Sequence, residues 1–299
     1  MAGESLADFG LFRQAAAMAK HTGDYVIVPS AYSFYNVDGY DTPEDNRSSL
    51  WFHLCLRSRW YYYFGFFGTF FCGGIMAPFG KLDANAQTRF SNSNLHLIEK
   101  CGGRVHIAGL ENLRMVAGKP VVVVANHMSL LEAGLLHAVM RGYLDVSFVV
   151  KESLLRVPFF RDVIKSIDVI PVTRENPRED LKTMLREGKR ILASGRSLLV
   201  FPQSTRTELL DPEKFNTIGV KLARSAGVPV LPLALKTDFV ANGRLVRDLG
   251  PIRPERIVCF EFAPPIEVVG NGQEAQHAII EFINSRLVEW RKLDAERKR

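Results

Sequence analysis

The sequence predicts an α/β protein: a mixed, largely parallel sheet flanked by helices, preceded by an N-terminal segment that meets a membrane. Three observations carry this expectation. From residue 104 onward, short apolar runs of strand length alternate with longer stretches of helical periodicity, the pattern of βα units. Residues 121–124 are four consecutive valines, as in a strand covered on both faces. Residues 60–79 hold no charged side chain and are dense in aromatics.

A chain of 299 residues, 47% hydrophobic and 23% charged, suits one large globular domain with an appendage, or two small domains. We place an N-terminal region at residues 1–82, with its membrane-contacting part at about 50–80, and the main domain at 83–299. Residues 5–20 read as a short amphipathic helix and 24–30 as a strand, while 36–49 are turn-rich. Residues 50–59 set Leu50, Trp51, Leu54 and Cys55 beside arginines, as an interfacial helix does. Residues 60–79, flanked by Arg57, Arg59 and Lys81, have the length of one bilayer crossing. Gly65, Gly68, Gly73, Gly74 and Pro78 weaken a continuous helix there, and the aromatics favour the membrane–water interface. A peripheral or shallowly inserted segment is expected ahead of a true span; a buried core hairpin is the alternative.

Strands are expected at 104–110, 121–124, 145–150, 168–174, 197–203, 228–235 and within 256–268. Helical patterns open at Ser129 and fill 153–167, where Pro158 interrupts them. They return at 177–194, started by Pro177, at 215–227, closed by Gly227, and at 273–299, with apolar Ile279, Ile283, Leu287 and Trp290. The basic residues after Trp290 read as a solvated helix end.

The net charge of +6 and pI near 9.2 fit an anionic partner such as acidic lipid or a phosphorylated substrate. No nucleic-acid-binding signature accompanies them, so no nucleic acid is expected. Cys55, Cys72, Cys101 and Cys259 lack metal-ligand or redox spacing. Residues 1–14 lack the basic and apolar regions of a secretory signal. The cytoplasmic face of a membrane is the expected location.

Chemistry concentrates at predicted strand ends, where open α/β sheets gather their ligands. Asn126 and His127 follow the four valines, and Glu132 lies five positions after His127. The bland alternative is a capping box, in which Ser129 caps the helix and Glu132 reaches back to its N–H. Lys151, Arg174 and Arg206 follow three further strands, and together they suggest a phosphate pocket. His137, among Leu135, Leu136 and Met140, reads as structural.

Asn126-His127 with Glu132 resembles the first motif of the glycerolipid acyltransferase superfamily, the lysophospholipid acyltransferases that include 1-acylglycerol-3-phosphate acyltransferases. Phe201-Pro-Gln-Ser-Thr-Arg206-Thr207 is similar to the family's Phe-Pro-Glu-Gly-Thr-Arg-Ser block. Val228-Pro229-Val230-Leu231-Pro232-Leu233 resembles its Val-Pro-Val-x-Pro block, and Arg174 falls where the family has its second-motif Arg. The four motifs occur in order over about residues 100–270. Two departures stand out: Glu132 replaces the usual Asp, and Gln203-Ser204 replaces Glu-Gly.

The resemblance implies a glycerolipid acyltransferase-like fold and acyl transfer from a thioester to a lysophospholipid hydroxyl, most directly lysophosphatidic acid to phosphatidic acid in phospholipid biosynthesis. Glycerol 3-phosphate, another lysophospholipid or an aminoacyl lipid are alternative acceptors, and a non-catalytic lipid-binding protein is the alternative from another class. His127 would be the general base, oriented by Glu132. Arg206, Arg174 and Lys151 would bind the acceptor phosphate, with Asn126, Ser129, Gln203, Thr205 and Pro232 as supporting motif residues. Residues 228–232 read equally as an acyl channel and as a plain core strand. No metal or bound cofactor is implied; acyl-CoA or acyl-acyl carrier protein is the co-substrate.

Overall fold

Each valine of the central run faces one side of a sheet, and the alternation divides the core in two. In the computed structural model, which describes Phe34 and residues 37–297 apart from Ser204 and Arg244, Val121, Val123 and Ala125 belong to one apolar cluster. Val122 and Val124 belong to the other. Period-two alternation with no solvated face requires helices on both sides, and both sides are covered.

The described strands are β1 (Tyr40–Asp41), β2 (Arg104–Ala108), β3 (Val122–Ala125), β4 (Val146–Lys151), β5 (Ile170–Val172), β6 (Ser197–Val200), β7 (Val230–Lys236) and β8 (Ile257–Phe262). They form one sheet in the order β1-β2-β8-β7-β3-β6-β4-β5. From β7 to β5 every neighbour is parallel. β8 is antiparallel to β7, β2 runs parallel to β8, and β1 is antiparallel to β2. The mixed, largely parallel sheet expected from the sequence is therefore present.

The helices are α1 (Leu50–Leu54), α2 (Arg59–Met76), α3 (Ala84–Lys100), α4 (Leu110–Met115), α5 (Leu131–Met140), α6 (Phe160–Lys165), α7 (Pro177–Ala193), α8 (Ile218–Ala226) and α9 (Gln273–Arg297). α2, α3 and α5 supply the first cluster through residues such as Tyr62, Phe66, Leu95 and Leu135. α7, α8 and α9 supply the second, with Ile191, Leu222, Ile279, Ile283, Leu287 and Trp290. Asn176 caps α7 through its side chain ahead of Pro177, and Gly227 ends α8 in the left-handed conformation (φ 67°), as their residue types favour.

The aromatic segment departs from expectation in form. It is one helix, α2, capped by Ser58 and continuous through its glycines. The glycines serve packing: a Cβ at Gly65 would lie 2.6 Å from Leu97 Cδ2, and one at Gly74 would lie 2.6 Å from Phe159 Cα. Neither the hairpin nor a crossing helix is found, and among the described residues no helix is long and apolar enough to span a membrane. One face of α2 buries Tyr62, Tyr63 and Phe66, while Phe64, Phe71 and Ile75 stay exposed. The interfacial helix expected over 50–59 is only the five-residue α1. Leu56 and Arg57, both at positive φ, then redirect the chain, and Leu50, Trp51, Leu54 and Leu56 are exposed. The helix expected at 5–20 and the strand at 24–30 lie outside the described residues.

Candidate active site

β3 ends at Ala125 and α5 begins at Leu131, so Asn126 to Leu130 form the strand-to-helix turn. Asn126 anchors it: its amide donates to Leu235 O at 2.7 Å and accepts from Leu235 N at 2.8 Å, fixing the end of β3 against β7. His127 follows, with its Nδ1 hydrogen-bonded to Glu132 Oε2. The Glu132 side chain is fully buried, and that of His127 is 16% exposed.

The other Glu132 oxygen, Oε1, accepts from Met128 N at 2.8 Å, Ser129 N at 3.0 Å and Thr237 Oγ1 at 2.6 Å. Burial pushes the Glu132 pKa up. The His127 ring, then the bonds from His127, Thr237 and Ser129, outweigh burial and hold the carboxyl below its ordinary value. The capping contact and the histidine contact are thus made by one carboxylate, one oxygen each. Ser129 Oγ accepts from Leu131 N at 3.2 Å and lies 3.0 Å from Thr237 Oγ1, which occupies it as a cap at the helix start.

A second loop, following β6, supports His127 from the other side. His127 N donates to Gln203 Oε1 at 2.7 Å, Gln203 Nε2 donates to Thr207 Oγ1 at 2.7 Å, and Thr207 N donates to His127 O at 3.0 Å. Phe201 stacks on the imidazole at 4.3 Å between ring centroids.

His127 lines a cavity of about 460 Å³. Its polar end is bordered by Lys151, Arg174, Thr205, Arg206, Arg247 and Asp248, brought from the ends of β4, β5 and β6 and from the β7–β8 loop. Arg206 is ion-paired with Asp248, and Arg247 donates to Arg206 O at 2.6 Å. Desolvation lowers the Arg174 pKa, as do the neighbouring Arg206 and, more weakly, Arg247, with Asp180 opposing them. These guanidinium groups therefore form one electropositive cluster. The rest of the cavity runs between α2, α3, α5, β4 and α6, with a mainly apolar wall that includes Phe70, Leu136, Phe148, Phe160, Val163 and Ile167. Among the described residues no cluster of three or more His, Cys, Asp or Glu is placed to hold a metal ion.

Residues 104–236 match the family model described as Acyltransferase. That stretch is the part of the chain that is similar to known acyltransferases. The chain resembles a 1-acyl-sn-glycerol-3-phosphate acyltransferase of Pseudomonas aeruginosa, 36% identical over 134 residues covering 44% of this chain and 49% of that protein. A probable 1-acyl-sn-glycerol-3-phosphate acyltransferase of Mycoplasma pneumoniae is 32% identical over 137 residues, covering 45% of this chain and 50% of that one. The chain spans about half the length of these curated relatives. Among solved structures, the 1-acyl-sn-glycerophosphate (LPA) acyltransferase PlsC of Thermotoga maritima shares the fold, with a TM-score of 0.62 and 21% identity over 79% of this chain and 95% of that one.

Of the sequence-selected residues, His127, Lys151, Arg174, Thr205 and Arg206 border one cavity, with Glu132, Asn126, Ser129 and Gln203 behind them. Pro232 does not join them. It sits in β7 opposite Val124, and its carbonyl accepts from Ala263 N at 3.0 Å, so the core-strand reading of 228–232 holds and the channel reading is corrected. Thr237, Arg247 and Asp248 escaped the sequence reading. Thr237 directly follows β7, one residue further on than the strand end expected from the sequence points; the other two lie in a loop without a motif.

Proposed function

We propose that the chain is a membrane-associated acyltransferase that moves a fatty acyl group from an acyl thioester to the free hydroxyl of a lysophospholipid, with lysophosphatidic acid the leading acceptor. The observation that carries the proposal is the His127–Glu132 pair set between an apolar channel and a cluster of arginines. An acyl chain suits the channel, a phosphate suits the arginines, and the histidine lies where the two meet.

Glu132 on Nδ1 leaves Nε2 as the basic nitrogen. Nε2 removes the proton from the acceptor hydroxyl as its oxygen attacks the thioester carbonyl carbon. The tetrahedral intermediate collapses, the C–S bond breaks, and the imidazolium returns its proton to the departing thiolate. Glu132 stabilises the imidazolium meanwhile. No enzyme nucleophile is needed, and Ser129, buried and bonded at the helix start, is not placed to be one.

Arg206 and Arg174 hold the phosphate, and Lys151 extends the positive rim. The acceptor phosphate competes with Asp248 for Arg206. The donor is acyl-CoA or an acyl carrier protein thioester. Contact with a membrane, which we place at its cytoplasmic face, is supported as contact alone by the exposed Leu50, Trp51, Leu54, Leu56, Phe64 and Phe79 around α1 and α2. The test is transfer of a labelled acyl group to lysophosphatidic acid by wild type and His127→Ala. Label in phosphatidic acid with wild type alone is expected; equal background in both, across several acceptors and both donor types, overturns the proposal.

A further inference from the structure

Arg247 and Asp248 border the polar end of the cavity, yet they come from the loop between β7 and β8, beyond the stretch 104–236 that is similar to acyltransferases. The loop is held in place. Val240 pairs with Ile252 in an antiparallel bridge, Ala241 N donates to Pro251 O at 3.0 Å, and Gly243 N donates to Arg247 O at 3.0 Å. Tyr63 on α2 donates its hydroxyl to Gly250 O at 2.9 Å. A Cβ at Gly250 would lie 1.8 Å from Ala241 O, so only glycine fits there.

Both residues meet Arg206. The Asp248 carboxylate is ion-paired with its guanidinium, and Arg247 donates to its carbonyl oxygen at 2.6 Å. That bond uses one of the five N–H groups of the Arg247 guanidinium. Desolvation lowers the Arg174 pKa, followed by Arg206 and, more weakly, Arg247. The three guanidinium groups therefore stand within electrostatic reach of one another. Among the described residues that line the cavity, Asp248 is the only carboxylate. Its pair with Arg206 is partly open, the side chains being 46% and 23% exposed, so water can take up the carboxylate once it is released.

We propose that Arg247 is a further phosphate-binding residue of the acceptor site, and that Asp248 is an internal counter-ion holding Arg206 until the acceptor's phosphate displaces it. The inference rests on the reading of the polar end as the phosphate site and adds these two residues to it. A phosphomonoester carries nearly two negative charges on three acceptor oxygens. It can meet Arg206, Arg174 and Arg247 together, whereas the carboxylate brings one charge to one of them. The exchange therefore favours the phosphate. Two neighbours in sequence consequently act with opposite sign: Arg247 strengthens the binding of a phosphorylated acceptor and Asp248 weakens it.

The test is calorimetric binding of a short-chain lysophosphatidic acid and of the monoacylglycerol with the same chain, both below micelle formation. Wild type, Arg247→Gln, Arg247→Lys and Asp248→Asn are compared; Gln and Asn keep hydrogen-bonding groups and drop the charge. Lysophosphatidic acid is expected to bind about fivefold more weakly to Arg247→Gln and about threefold more tightly to Asp248→Asn, with Arg247→Lys near wild type. All four proteins bind the monoacylglycerol alike, and both shifts shrink at high salt, which screens charges on the open rim. A loop merely loosened by substitution would instead weaken lysophosphatidic acid in both charge-removing variants at every salt concentration. Weaker binding in both, or no change in either, overturns the proposal and leaves the acyltransferase reading intact, provided wild type still prefers the phosphorylated lipid. If wild type binds the two lipids equally, the proposal and the phosphate-site reading fall together. Opposite shifts in a chain that transfers no acyl group leave the proposal standing and refute only the enzymatic reading.

Discussion

Glu132→Gln isolates the electrostatic and tautomeric role of the carboxylate with almost no change of shape. In the wild type Oε1 receives three donors, Met128 N, Ser129 N and Thr237 Oγ1, while Oε2 faces His127 Nδ1. The glutamine must choose which side keeps its oxygen. Turning the NH2 toward the three donors leaves them without an acceptor, at about 1–3 kcal/mol each, so the oxygen stays there. The NH2 then faces Nδ1, which must accept, and the imidazole proton moves to Nε2. That nitrogen is the proposed base, and it is now blocked.

Locking a catalytic histidine in the wrong tautomer in this way is expected to lower kcat by about 10⁴-fold, or ~5.5 kcal/mol of barrier. The KM values should stay near wild type. The assay is turnover of a labelled acyl thioester at saturating acceptor, beside a urea melt. Because Glu132 has its pKa lowered from 4.5 by folding, its stabilising contribution is complete above that value and is lost as pH falls through the folded value; the Gln variant lacks this component. Wild-type turnover in a folded Glu132→Gln protein would refute the base assignment.

Arg206→Ala should raise KM for a phosphorylated acceptor by about tenfold or more, as loss of a charged hydrogen bond does. KM for the thioester should stay unchanged, and equal effects on both substrates would remove Arg206 from the phosphate site. His137 gives a pH signature. The unfolded chain takes a proton near pH 6.5, which the folded chain resists until about pH 3, so this residue lowers stability by about 1.4 kcal/mol per pH unit across that window. The urea midpoint of His137→Leu should therefore fall less steeply with acid than that of wild type; parallel curves would contradict the buried neutral ring. Lys236, fully buried, pairs with Asp238 at 2.8 Å and Asp294 at 2.6 Å and ties α9 to the sheet. Lys236→Met leaves two buried carboxylates short of a partner and should cost about 3–5 kcal/mol in a urea titration.

The strands and the helices flanking β4 to β8 were legible because each shows an uninterrupted apolar run or stripe. α9 is the clearest case: Ala275, Ile279, Ile283, Leu287, Trp290 and Asp294 are buried at spacings of three or four, and only Asp294 is out of character. α3 went unread for the opposite reason. Its buried face includes Thr88, Ser91 and Asn94, which bond to backbone groups and give no apolar period. β1 is two residues long and depends on β2 for its register. In the site, His127, Glu132 and Arg206 lie within short motifs and could be read. Thr237 and Asp248 reach Glu132 and Arg206 across 105 and 42 residues of sequence, and no local pattern encodes such contacts. The channel is illegible for the same reason: its walls come largely from helices distant in sequence, whereas β7, which read equally as channel and as core strand, is buried in the sheet.

The two departures from the superfamily's usual motifs have a common physical account. Glu132, one methylene longer than Asp, spans from the first turn of α5 back to the Nδ1 of His127 while its other oxygen accepts from Met128 N and Ser129 N. The added reach is held in place by those two amides and Thr237. Gln203 stands where the usual motif has Glu, and the amide makes use of both its ends: Oε1 accepts from His127 N, and Nε2 donates to Thr207 Oγ1. Thr207 Oγ1 in turn donates to Leu209 O at 2.8 Å, so a donor at position 203 fits the direction of the chain of bonds. A carboxylate there would need the Thr207 hydroxyl to turn toward it and abandon Leu209. Gln203→Glu is therefore expected to loosen the loop that carries Arg206. It should raise KM for the acceptor more than it lowers kcat, and a rise confined to kcat would show that residue 203 acts through His127 alone.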